Sequence, residues 1–145
     1  MAITTAMCNS FKQELLGGVH DLDTHTLKIA LIKPSQSGTY GAATTNYSDV
    51  TGNSDEATGT NYSAGGQTLD SAAISLSGST ALVDFADEVF TNLTISAAGA
   101  IIYNSSVSNK AIAVFSFGGT VTSTSGDFTV VFPTADASNA VIRIA

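Results

Sequence analysis

Apolar and polar residues alternate along most of this chain, which is the pattern of strands with one buried face. The segments THTLKIALI (24–32) and STALVDFA (79–86) show the alternation clearly. Further strand candidates are QTLDSAAISL, FTNLTIS, GAIIYNS, KAIAVFSFG, DFTVVFP and AVIRIA. Clusters of Ser, Gly, Asn and Asp separate them, and these residues favour turns. The predicted turns lie at residues 77–79, 105–109 and 125–127.

Short strands at near-regular spacing, without helical patterns between them, predict an all-β fold. We expect an antiparallel β-sandwich, jelly-roll-like, with seven to nine strands. A chain of 145 residues is long enough for one core and short for two. Residues 1–145 are therefore predicted to form a single domain.

One segment, CNSFKQELLGG at residues 8–18, reads as a helix. Ser10 and Gln13 have the spacing of a capping box, and Gly17 with Gly18 is a typical stop. The pattern predicts one short N-terminal helix near residues 10–16. Because so short a helix is unstable alone, its Phe11, Leu15 and Leu16 face is expected to dock onto the sandwich.

An apolar arm precedes this helix, so that arm and helix together occupy residues 1–18. Met1, Ile3 and Met7 are unusual residues for a free terminus. We expect a neighbouring subunit to bury them. On that interpretation, removal of residues 1–7 leaves the melting of the isolated subunit nearly unchanged and weakens its assembly.

Residues 35–66 contain hardly an aliphatic side chain and are predicted to form a long, mostly irregular loop. Tyr40, Tyr47 and Tyr62 lie in it, and tyrosine combines a large ring with a hydroxyl group. Two interpretations remain open: the rings contact a partner subunit, or they attach the loop to its own sandwich. With the loop at an interface, deletion of residues 45–60 is expected to leave the domain folded.

Composition narrows the classes of partner. Charged residues make up only 12% of the chain, and the formal net charge is −7. Five cations are too few to neutralise a run of phosphates, so nucleic acid is not an expected partner. The sequence shows neither a membrane span nor a signal peptide, which predicts synthesis in the cytoplasm and no membrane partner.

Candidate chemistry is sparse. The segment HDLDTH places His20, Asp21, Asp23 and His25 close together, but extended side chains two residues apart cannot all reach one ion. The acidic loop at 49–59 lacks the spacing of a calcium loop, and Cys8 has no evident base beside it. Phosphate-binding and nucleophile-elbow motifs are missing. We therefore predict no catalytic residues, no metal site and no cofactor.

Several segments together resemble a family of small virion structural proteins of tailed bacteriophages, including those that infect cyanobacteria. They are NSFKQELL, LKIAL, TNYSAGGQTL, ALVDFADEVF, LTISAAGAIIYNSS, NKAIAVFSFGG and DFTVVFPTADASNAVIRIA. The resemblance runs from Met7 to Ala145 and departs in the 47–62 region and in the linker GGVHDLDTH. It implies a capsid decoration, or cement, protein on the virion surface. The implied partners are the major capsid protein or other virion subunits, with self-association into a dimer or trimer.

Two other functions fit the same sequence. A tail, baseplate or fibre component of the virion would share this composition, and its position and symmetry in the particle would distinguish it. A carbohydrate-binding sandwich would need exposed aromatic rings, for which the three loop tyrosines are the candidates.

Overall fold

A computed structural model describes all residues from Met1 to Ala145 and confirms the all-β fold. Eight strands form two antiparallel sheets. Their bounds are β1 (Ala6–Met7), β2 (Leu27–Ile32), β3 (Gln67–Thr68), β4 (Ala73–Ser77), β5 (Thr80–Asp84), β6 (Glu88–Asn104), β7 (Lys110–Val130) and β8 (Ile142–Ile144). Two helices, α1 (Asn9–Leu16) and α2 (Ser48–Gly52), and a 3₁₀ turn (Ser105–Val107) complete the chain.

The larger sheet has the strand order β1-β7-β6-β2-β3, and the smaller sheet has the order β4-β5-β8. The hairpin between β4 and β5 closes through Gly78 and Ser79, as the sequence predicted. Gly78 has φ +61°, a conformation that glycine adopts without strain. β8 then pairs with the other edge of β5, although nearly sixty residues separate the two strands along the chain.

The hairpin of β6 and β7 dominates the larger sheet. The sequence pattern predicted two shorter strands in place of each of these long ones, with a turn at residues 125–127, which lie within β7. That turn prediction was wrong: the pairing passes from Leu93–Gly126 to Ile95–Ser123, so β7 carries one extra residue and bulges. Ser125 has φ +48°, which shows that turn-forming residues here bend a continuous strand.

α1 begins at Asn9, directly after β1, and packs against β7. Cys8 occupies the N-cap position, and its backbone N–H is held by the carbonyl of Ile112 at 2.9 Å. The predicted capping box does not form, because this strand contact starts the helix before Ser10 can act as a cap. The Ser10 hydroxyl is instead buried without a hydrogen-bond partner.

The two glycines end α1 as predicted. Gly18 has φ +73°, and the N–H of Val19 reaches back to the carbonyl of Glu14 at 2.9 Å. Phe11 is fully buried, as expected, and Leu15 is half-buried. Leu16 points to solvent, contrary to the prediction, because it lies outside the face that meets β7.

One cluster of 30 buried residues includes side chains of both sheets, of α1 and of the 35–66 loop. The loop contributes Tyr40, Val50 and Ala57 to this core. It also contains α2 and runs beside β2, where the N–H of Ala57 bonds the carbonyl of Leu31 at 2.8 Å. The expected irregular excursion is therefore an integral part of the fold.

The approach of the loop to β2 depends on Gly66. A side chain at this position would place its Cβ atom 1.8 Å from the carbonyl oxygen of Ile29, and φ is +73°. Only glycine lets the two backbones come so close.

Neither helix has the length and apolar character that a membrane crossing requires.

Candidate assembly face

The smaller sheet has one continuous apolar face. Cross-strand pairing sets its residues in two rows, Ile74–Val83–Ile142 and Leu76–Ala81–Ile144. All six side chains share a face because residues two apart on a strand point the same way. The sheet is three strands wide, so β4 and β8 lie at its edges.

α1 and the linker that follows it flank this face. A groove of about 450 Å³ separates the sheet from Leu15, His20 and Leu22. A second groove of about 460 Å³ lies beside Leu16 and shares Leu15 and Ile144 with the first. We use the name apolar face for the partly or largely exposed aliphatic residues of this sheet face and of the neighbouring groove walls: Leu15, Leu16, Ile74, Leu76 and Ile144.

Exposure in this region is high for aliphatic side chains. Leu16 is 92% exposed, Leu76 is 74% exposed and Ile74 is 56% exposed. Contiguous exposed apolar patches on a protein surface often mark interaction sites. The apolar face is thus the strongest candidate for a functional surface.

This surface was not predicted from the sequence. The helical pattern assigned Leu16 to the core, and the interface was expected on the arm and the loop tyrosines. A usable signal was present, because no charged residue occurs from Ser71 to Val83. Strands at the open edge of a sheet normally carry charges or proline that discourage pairing with another chain.

The arm folds back on its own subunit. Ala6 and Met7 pair with β7, and backbone hydrogen bonds of 2.8 and 2.9 Å join the arm to Tyr40 on both sides of Ile3. Ile3 and Met7 are half-buried against the core, whereas Met1 is exposed. This packing differs from the expected burial of the arm by a neighbour and gives the arm a role in the subunit itself.

Tyr40 is 1% exposed and lies within the core. Its hydroxyl donates a hydrogen bond of 2.6 Å to Asp55, a fully buried carboxylate. Asp55 also accepts the N–H groups of Ser37 and Gly38, at 2.9 and 2.8 Å, and Lys33 lies 3.3 Å away. Of the two interpretations left open for Tyr40, the structure favours attachment of the loop to its own domain.

These contacts set the protonation of the pair. Burial raises the pKa of Asp55, but the hydrogen bonds from Tyr40, Ser37 and Gly38 and the contact with Lys33 lower it more. The net result is a pKa well below the ordinary value of an aspartate. Burial and the neighbouring carboxylate raise the pKa of Tyr40 to about 12. Asp55 is therefore an ionised acceptor that organises the loop around itself.

Glu56 organises the other side of the loop. Its two oxygens accept hydrogen bonds from the hydroxyls of Tyr47 and Tyr62, the latter at 2.8 Å, and from the N–H of Gly65 at 2.7 Å. The ring of Tyr47 stacks on Tyr103 with centroids 4.4 Å apart. Burial, with the adjacent carboxylate, raises the pKa of both loop tyrosines above the usual value. Both hydroxyls thus remain neutral donors within their own chain.

The linker histidines join elements rather than gather around an ion. The amide nitrogen of Asn104 lies 3.1 Å from Nδ1 of His20 and 3.0 Å from Nδ1 of His25. Since Asn104 uses its oxygen to accept the N–H of Ser106, its nitrogen is the donor to both rings. With Nδ1 accepting from Asn104, His20 donates from Nε2 to Glu14 at 2.7 Å.

No three His, Cys, Asp or Glu side chains are grouped so that they could hold one metal ion. Asp21 of the linker accepts the N–H groups of Asp23 and Thr24, at 3.1 and 3.2 Å, in a local turn. Cys8 is buried, and burial raises the pKa of its thiol to about 12. A neutral, enclosed thiol is a poor nucleophile.

Comparison of the chain with protein-family models, with curated proteins and with solved structures gave no match. The functional proposal therefore rests on the arrangement of the chain's own residues.

Proposed function

We propose that this chain is a non-catalytic structural subunit of a tailed-bacteriophage virion, and that it decorates the capsid. The observation that carries the proposal is the contrast between its polar groups and its apolar surface. Asp55, Glu56 and the loop tyrosines are engaged in internal hydrogen bonds, whereas four exposed aliphatic side chains lie on one face: Leu16, Ile74, Leu76 and Ile144. Such a division suits a rigid part that associates with other subunits.

The internal hydrogen bonds also support this role. Asp55 and Glu56 hold a long connection against the body through several strong contacts, so the loop does not need a partner to become ordered. A decoration protein has to keep its shape outside the cell. Charge-assisted hydrogen bonds in a buried site are suited to that task.

The three tyrosines that the carbohydrate-binding alternative depends on, Tyr40, Tyr47 and Tyr62, all pack in or against the subunit's own core. Tyr40 is buried, and the ring of Tyr47 is covered on one side by Tyr103. Sugar-binding platforms need ring faces open to solvent, and the chain contains no tryptophan to replace them. A tail or baseplate position uses the same kind of assembly face and is separated from decoration by location.

The test is to locate the protein on particles. Antibodies raised against the recombinant chain are applied to intact, purified particles from the phage that encodes it, and gold labels are counted on heads and tails. We expect many labels on each head. Labels confined to the tail would support the alternative position. A chain undetectable in purified particles by both labelling and mass spectrometry would contradict the virion role.

A further inference from the structure

The structure points to a specific occupant for the outer edge of β4: the same strand of a second copy of this chain. We infer that two copies pair β4 against β4 in antiparallel orientation and so join their smaller sheets into one sheet of six strands. The inference deepens the proposed function, on which it rests for the biological use of the apolar face.

The edge of β4 is open to such pairing. β5 covers one side of β4, and no strand covers the other. Edge strands in proteins that remain monomeric are short, charged, interrupted by proline or covered. β4 has five residues, none of them charged and none proline, and four of the five are exposed.

Other edges of the two sheets are less suitable. β1 and β3 each contain two residues, and β8 contains three residues with Arg143 in the middle. The free part of β7 beyond residue 117 consists mainly of Gly, Thr and Ser. Before Phe128 it has one aliphatic residue, Val121, and one charged residue, Asp127. β4 alone combines length, neutrality and two strongly exposed aliphatic side chains.

Electrostatics favours a second copy at this edge. The chain has 12 acidic and 5 basic residues, so two copies repel each other on average. A two-fold axis places each residue near its own counterpart, which makes like charges especially costly. The stretch from Ser71 to Val83 carries no charge and avoids this repulsion.

The sequence of β4 also fixes the register. Full pairing of all five residues places the two-fold axis at Ser75, and Ile74 then faces Leu76 of the second copy. Both residues lie on the apolar face, so each aliphatic side chain meets an aliphatic partner across the axis. The apolar rows of the two small sheets become continuous, and part of the exposed surface of Ile74 and Leu76 is covered.

A pair of cysteine variants tests the register directly. Opposite residues in an antiparallel pair have Cα atoms about 5 Å apart, which a disulfide can span. Ser75→Cys is therefore expected to give a disulfide-linked dimer under mild oxidation. Ser77→Cys is the matched control, because its two copies would lie about 13 Å apart along the strands and should remain unlinked. The native Cys8 is buried and does not compete.

A second pair of variants tests the association without a covalent bond. The wild-type chain is expected to sediment as a dimer at high micromolar concentration, and Leu76→Lys as a monomer with an unchanged circular dichroism spectrum. Val121→Lys, an exposed aliphatic residue on the other sheet, should remain dimeric. A wild-type chain that is monomeric throughout, or equal cross-linking at positions 75 and 77, would overturn the inference.

This test and the particle-labelling test fail separately. A cross-linked dimer that is missing from particles would reject the virion role and leave the pairing intact. A chain that labels particles but gives no Ser75→Cys dimer would retain the virion role and reject the pairing.

Discussion

Asp55 and Glu56 are neighbours in the chain, yet they organise opposite sides of the same loop. Asp55 holds the turn around residues 37–40, and Glu56 holds Tyr47 and Tyr62. Their pattern in the sequence indicated only an acidic loop without the spacing of a calcium site. The difference arises because burial depends on long-range packing, which local composition does not encode.

Replacement of Asp55 by Asn should lower the free energy of unfolding by about 2–3 kcal/mol at neutral pH, because a buried acceptor of several donors is weakened. The folded-state pKa lies below the ordinary value of 3.8, so this stabilisation is complete above that pH and is lost as the pH falls below it. Urea unfolding at pH 7 and pH 3 should show a smaller difference between variant and wild type at pH 3. The exposed Asp23→Asn change should have little effect at either pH. If Asp55→Asn lowered the free energy of unfolding as much at pH 3 as at pH 7, the low pKa of Asp55 in the folded protein would be contradicted.

At the scale of elements, the alternation of apolar residues predicted where strands occur but not where they end. The Ser125 cluster has the composition of a turn, and the structure uses it as a bulge within β7. Both outcomes satisfy the same local φ preferences, and only the pairing with β6 distinguishes them. The cap of α1 failed for a similar reason, since β1 fixes Cys8 before the helix starts.

Removal of the arm, residues 1–7, is now expected to destabilise the isolated subunit. The sequence alone had suggested nearly unchanged melting. Loss of residues 1–7 removes the pairing with β7, the hydrogen bonds to Tyr40 and the packing of Ile3. We expect a loss of about 3 kcal/mol, which corresponds to a fall of roughly 5–10 °C in the unfolding midpoint. Differential scanning calorimetry measures it. Removal of Met1 alone, which is exposed, is the control, and an unchanged midpoint after the longer deletion would show that the arm does not stabilise its own subunit.

For the whole molecule, the fold class and the short N-terminal helix could be predicted from the sequence, whereas the only sequence signal for the candidate surface was the uncharged stretch from Ser71 to Val83. Leu16, Ile74 and Leu76 fit an amphipathic pattern as core residues, and their exposure results from how the small sheet lies against α1. A surface formed by segments far apart in the chain has no continuous sequence signature.

The shared core also changes the expectation for the long loop. Deletion of residues 45–60 removes Val50, Asp55 and Ala57 from the buried cluster and exposes the edge of β2. We expect the deleted chain to lose cooperative unfolding and to aggregate. Far-ultraviolet circular dichroism during a urea titration, with the intact chain in parallel, measures this, and a sharp transition in the deleted chain would show that the loop is dispensable.

Cys8 sits at the junction of β1 and α1, enclosed and tied through its backbone to Ile112. A thiol in that position cannot meet an alkylating reagent until the arm separates from β7 or the loop segment at Gly41 moves away. The rate of alkylation therefore measures how often the region around Cys8 opens, and no introduced label is needed. In a particle preparation the same measurement would report whether assembly slows the opening, since any contact that holds the arm in place lengthens the lifetime of the unmodified thiol.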